Sequence, residues 1–129
     1  MHISVSGFYN DYAKSTGLTL ATLKVLSILH KDEPCTQKYI TQLTYLPKQT
    51  VNVIIKGFME QGYIEELQEN NFDKRNKLLA LTSNGRKYAD SIILKARDAE
   101  YRALEKIGEK RRAALIEAIE LYRENLSIE

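Results

Sequence analysis

Cysteine is nearly absent from this chain of 129 residues: Cys35 is the only one. One thiol cannot close a disulfide within the chain, which fits a reducing compartment and predicts a cytoplasmic protein. Histidine is scarce as well, and neither His2 nor His30 has a Cys, His or carboxylate at a convincing ligand spacing. No metal site and no cofactor is therefore expected. There is no phosphate loop, no nucleophile elbow and no pair of carboxylates flanking an obvious cleft, so the chain does not read as an enzyme. No apolar run approaches ~18 residues, which excludes a membrane-spanning helix, and no signal-peptide pattern opens the sequence. An excess of one charge is also missing, the net formal charge being +2. Bulk charge thus argues little for a polyanionic partner, and any such case rests on where the charges sit.

What remains is 43% apolar and 28% charged, the balance of one soluble globular domain with a real core. Residues 3–15 form a short segment whose Phe8, Tyr9 and Tyr12 share a helical face. It is too short to fold alone and must pack on something else. Leu18 to His30 repeats leucines at helical spacing behind Thr19, a capping residue. Pro34 ends that helix by disfavouring helical backbone in the residue before it. His30, with Asp32 and Glu33, reads as dipole compensation at the helix end. Thr36 to Leu43 is a second short helix, capped by Thr36, with Tyr39, Ile40 and Leu43 inward. Thr44 to Leu46 make a tight turn.

The next stretch, Pro47 to Gln61, organises the chain. Val51, Ile54, Ile55 and Phe58 follow an i, i+3, i+4, i+7 spacing and form a core-facing stripe. Gln49, Asn52, Val53 and Lys56 lie opposite, and amides, a cation and a small apolar group are the side chains that read or grip DNA. Pro47 suits the first helical position and Gly62 a C-terminal stop. Two short helices joined by so tight a turn make a helix-turn-helix unit, whose second helix enters the major groove. After Gly62 the period changes. Tyr63 to Gln68 and Lys77 to Leu81 read as strands of a β-hairpin, and the intervening NNFDKRN reads as its tip. Helix-turn-helix followed by hairpin is a winged helix. Lys74 and Arg75 at the tip, with Lys77 behind, suit a narrow minor groove.

From Ser83, with Thr82 as cap, the pattern is helical to the end, broken only at Gly108. Tyr88, Ile92, Ala96, Ala99, Ala103 and Ile107 form one seam, and Leu115, Ile119 and Tyr122 continue an apolar side beyond it. Helices this long cannot bury themselves against a compact winged unit. A homodimer interface is expected, made by Phe8, Tyr12, Ile92, Ala96, Ala103, Ile107, Leu115, Ile119 and Tyr122; an intramolecular helical hairpin is the alternative. The fold class is mainly α with a small β-hairpin. A winged helix-turn-helix lobe spans 18–82, and dimerisation helices occupy 1–17 and 83–129.

The run LTQLTYLPKQTVNVIIKGFMEQGYIEE, followed by FDKRNKLLALTSNGR, resembles the MarR family of dimeric winged-helix transcription regulators. The wing carries the most specific part: Asp73, Arg75, Leu81-Thr82 and Gly85-Arg86. GLTLATLKVLSIL upstream fits the helix preceding the family's helix-turn-helix. The family usually has a Ser or Asp cap where Pro47 stands. It also has a more basic first wing strand than one carrying Glu65, Glu66 and Glu69, and a longer segment before Leu18.

The resemblance implies a homodimer on double-stranded DNA, probing successive major grooves ~34 Å apart at a pseudo-palindrome with half-sites ~10 bp apart. It also implies a repressor released by a small-molecule effector or an oxidant. Gln49, Asn52, Val53 and Lys56 are the base-reading candidates, with Lys48 and Thr50 nearer the backbone. Thr36, Gln37 and Lys38 offer a helix start to a phosphate. Asp73 holds the wing by pairing with an arginine, and Arg86 and Lys87 are either phosphate contacts or a solvated face. Phe8, Tyr9, Tyr12 and Tyr39 are either core or an effector pocket. Cys35 falls in a short strand beside the wing, where nearby carboxylates raise a thiol's pKa and argue for packing over redox sensing. The alternative function is a winged-helix module that meets protein with the same face; the polar, basic outward surface favours DNA.

Overall fold

The computed structural model describes residues 6–67 and 77–128. Helix α1 spans Ser6–Ser15, α2 Leu20–Asp32, α3 Gln37–Thr44 and α4 Lys48–Glu60, with strand β1 (Cys35–Thr36) between α2 and α3. Strands β2 (Ile64–Leu67) and β3 (Leu78–Leu81) follow, then helices α5 (Ser83–Ile107) and α6 (Glu109–Asn125).

Three threonine caps fix where helices begin. The Thr22 N–H donates to Thr19 Oγ1 at 3.1 Å, the Tyr39 N–H to Thr36 Oγ1 at 3.1 Å, and the Gly85 N–H to Thr82 Oγ1 at 3.0 Å. Each satisfies one of the amide donors that a helix start leaves open. Because Thr19 caps, α2 starts at Leu20 and not at Leu18, and it runs on to Asp32. Pro47 differs too: it occupies the cap position of α4, with no side-chain bond to the first turn, and is not the first helical residue. Gly62 ends α4 in the left-handed region at φ 79°, as a helix stop requires.

The sheet has the order β1-β3-β2, all antiparallel. Cys35 sits opposite Leu79, and Ile64 opposite Leu81. Cys35 thus lies in a short strand beside the wing, as expected. Gly85, in the first turn of α5, is required by close approach, since a Cβ there would collide with the Tyr63 carbonyl. That carbonyl also accepts from the Thr82 N–H at 3.0 Å, so β2 is pinned to the start of α5.

The chain divides into two compact units, Met1–Leu94 and Lys95–Glu129. The core of the first gathers Val25, Leu26 and Leu29 from α2, Ile40 from α3, and Val51, Ile55 and Phe58 from α4. Ala13 of α1, Leu79 and Leu81 of β3, and Ala89, Ile92 and Ile93 of α5 complete it. The division falls after Leu94 rather than at Ser83 because these first turns of α5 are core.

Ile92 therefore departs from expectation. It is 5% exposed within one chain, so it has almost no area to offer a partner. Ala96, expected on the same seam, is buried as well. The seam's period was right, but its first half is covered by the chain itself. In the second unit no residue of α6 is buried, and α6 begins after Gly108 at φ 84°.

Two polar links join α2 to α5. His30 is buried, with Nε2 2.7 Å from Asp90 Oδ1, and is not merely dipole compensation at a helix end. Glu33 pairs with Arg86, accepts from the Leu81 N–H at 2.6 Å, and is mostly shielded from solvent. Arg86 also donates to the His30 carbonyl at 3.2 Å. Arg86 is thus a structural tie between α2 and the start of α5.

Candidate nucleic-acid interface

Between α3 and α4 the chain makes a three-residue connection from Tyr45 to Pro47. Tyr45 takes the left-handed conformation (φ 58°, ψ 19°), and its N–H donates to the Thr41 carbonyl at 3.1 Å. A non-glycine residue there is strained by roughly 1–2 kcal/mol, and its side chain is 93% exposed. Thr44 is buried under the turn, its hydroxyl donating to the Ile40 carbonyl at 2.8 Å. Leu46 packs against the core and anchors the entry to α4. The absence of a side-chain cap leaves the first N–H groups of α4 open to an outside acceptor, and the helix dipole favours an anion there.

The faces of α4 divide as the apolar spacing requires. Val51, Ile55 and Phe58 are buried, with Ile54 packed beside them. Lys48, Gln49 and Lys56 are exposed, Thr50 and Asn52 half-buried, and Val53 is 68% exposed. The outward residues converge with α3. An open depression of about 880 Å³ is lined by Gln37, Lys38, Thr41 and Gln42 of α3 and by Lys48, Gln49 and Asn52 of α4. A smaller one of about 280 Å³ lies towards the sheet; Gln37 and Asn52 line it too, with Lys56, Glu66 and Lys77. Asn52 and Gln37 are common to both. Thr36, half-buried, caps α3 at the edge of this surface.

Thr41 and Gln42 were not singled out from the sequence. The signal was present, since they stand four residues after Gln37 and Lys38, one turn along the same face of α3. Lys77 is exposed at the start of β3, with Nζ 3.3 Å from Glu66 Oε2. The acid on β2 therefore partly neutralises this cation. Asp73, Lys74 and Arg75, the expected tip residues, lie outside the described residues.

The other candidates are dispersed. Phe8 is exposed on α1 and stacks on Tyr12 at 6.4 Å between ring centroids, while Tyr9 meets Phe8 edge-on at 5.1 Å. Tyr12 donates to the Ile92 carbonyl at 2.5 Å, and burial raises its pKa. Tyr39 stands apart from them on α3; its hydroxyl donates to Asp32 at 2.8 Å, a bond that raises its pKa. Ala103 is exposed and Ile107 half-buried, while Leu115, Ile119 and Tyr122 are exposed along α6. Cys35 is buried, and burial, reinforced by Asp32, pushes its thiol up to about 11. Among the described residues no three His, Cys, Asp or Glu side chains come together as a metal set, and no helix is long and apolar enough to cross a membrane.

Residues 16–75 match the model of the MarR family. No curated protein matches the chain. Among solved structures, a MarR family regulator from Neisseria meningitidis is 30% identical, with 93% of this chain and 84% of that one covered at a TM-score of 0.77. A MarR family regulator from Listeria monocytogenes, complexed with 26mer DNA, is 24% identical and covers 92% of this chain and 79% of its own at 0.73. Staphylococcus aureus MarR in complex with salicylate and kanamycin shares the fold at 18% identity, covering 92% and 77% at 0.67. With a winged helix-turn-helix lobe, a family model over that lobe and a relative alike along nearly its whole length, the chain belongs to the MarR family of transcriptional regulators.

Proposed function

We propose that this protein is a sequence-specific regulator that binds double-stranded DNA as a homodimer in the cytoplasm, represses from a pseudo-palindromic operator, and is released by a small-molecule effector. The observation that carries the reading is the convergence of Gln37, Lys38, Lys48, Gln49 and Asn52 on one open groove, at a helix start with no side-chain cap. Amides and cations at that place can meet base edges and phosphates together. A fold relative complexed with DNA supports the same use of the lobe.

The dimer rests on α6. Leu115, Ile119 and Tyr122 fall on one stripe, all three are exposed, and the helix buries nothing in a single chain. Covering such a stripe is favourable by ~25 cal/mol per Å² of apolar surface. A second copy is the partner that two-fold symmetry supplies, and it places two copies of α4 on one duplex. Release by an effector draws support from the relative complexed with salicylate and kanamycin. Cys35 argues against an oxidant, because a buried thiol of raised pKa is a poor nucleophile.

The test is selection of bound sequences from a random duplex pool, with the full chain at near-physiological salt. An inverted repeat is the expected result. Binding without preferred sequence that vanishes as salt rises would leave only charge attraction and would overturn the reading.

A further inference from the structure

The outward face of α4 has an unusual composition at its centre. The sequences of α3 and α4, QKYITQLT and KQTVNVIIKGFME, hold no arginine and no acid before Glu60. Arginine makes the commonest guanine contact, and Asp or Glu accepts from the cytosine amino group. Both readers are missing. Of the lysines, Lys48 stands in the first turn beside Lys38, and Lys56 lines the depression next to the sheet with Lys77 and Glu66. Between them lie Asn52 and Val53.

Val53 has no packing role, being 68% exposed and turned away from the stripe of Val51, Ile55 and Phe58. Valine is also a weaker helix former than alanine, so helix propensity does not explain it. An exposed branched methyl pair in the middle of a recognition helix has one chemical counterpart in the major groove, the C5-methyl of thymine. One turn of helix advances ~5.4 Å and one base pair ~3.4 Å, so Val53 and the flanking Gln49 and Asn52 address neighbouring pairs. The two amides suit adenine.

We propose that Val53 reads a thymine methyl, so that the centre of each half-site is an A·T pair recognised by apolar contact. The proposal rests on the DNA-reading function above. Its test uses the duplex selected by the full chain, in which each thymine of the half-site is replaced in turn by deoxyuridine. That change keeps the A·U pair and removes only the methyl. One thymine position should lose about fourfold in affinity per half-site, the worth of about one buried methyl. In Val53→Ala the same replacement should have little or no effect. The variant should fold, since alanine is the better helix former at an exposed site.

A defined selected site in which no thymine responds, or in which Val53→Ala responds as fully as the native chain, overturns this proposal and leaves sequence-specific DNA binding standing. A pool that returns no preferred sequence overturns both.

Discussion

At the scale of single residues, the immediate surroundings of Cys35, Gly85 and Arg86 set what each can do. Cys35 sits in β1 against Leu79, and its thiol is pushed up to about 11 by burial first and Asp32 second. Only a trace of thiolate exists at neutral pH, and the thiolate is the reactive form. Alkylation of the native protein at pH 7.5 should therefore be far slower than that of the urea-unfolded chain, and should accelerate only as pH rises towards that value. Equal rates in the two states would show that the thiol is accessible and ionised. Gly85 is packed against the Tyr63 carbonyl, so Gly85→Ala forces backbone apart and should cost roughly 1–3 kcal/mol, read as a lower midpoint in denaturant. An unchanged midpoint would mean that the start of α5 can shift freely. Arg86→Ala should lower stability by about 1–2 kcal/mol, because Glu33 then keeps only its bond from Leu81. The salt dependence of DNA binding should stay as it was; a flatter slope would make Arg86 a phosphate contact after all.

At the scale of elements, local chemistry was legible in the sequence and remote pairing was not. Thr19, Thr36 and Thr82 announce helix starts because a cap acts over three residues. The stripe of α4 announces its buried face because one helix turn is local. The outward candidates Gln49, Asn52, Val53 and Lys56 followed from the same wheel. By contrast, His30 meets Asp90, and Glu33 meets Arg86, across more than fifty residues. No spacing rule connects such residues, so His30 reads as a helix end and Arg86 as a phosphate contact or a solvated face. The seam from Tyr88 to Ile107 shows a second limit. Periodicity tells that a face is apolar but not which surface covers it, and Ile92 proved to be covered by its own lobe. The grouping of Thr41 and Gln42 with α4 required knowing how the two helices meet.

At the scale of the whole molecule, the first unit has a core of its own, whereas α6 has no buried residue. Ile119→Asp places a charge on the exposed stripe of α6. It should yield a monomer by light scattering while the lobe keeps its cooperative unfolding. Ile92→Asp should instead abolish folding of the lobe, as an unpaired charge in a core does. If Ile119→Asp stays dimeric, α6 is not the interface. The monomer should also lose most of its affinity for an inverted repeat, since one copy of α4 contacts only one half-site.

In the proposed function, two copies of the α3–α4 surface read one duplex together. The decisive experiment is hydroxyl-radical footprinting of the selected duplex, with the number of chains per duplex counted in the same sample. Two chains per duplex and two protected patches on one side of the helix are expected, their centres about 10 bp apart. A single patch with one chain bound, or continuous protection without register, would rule out paired reading of one duplex.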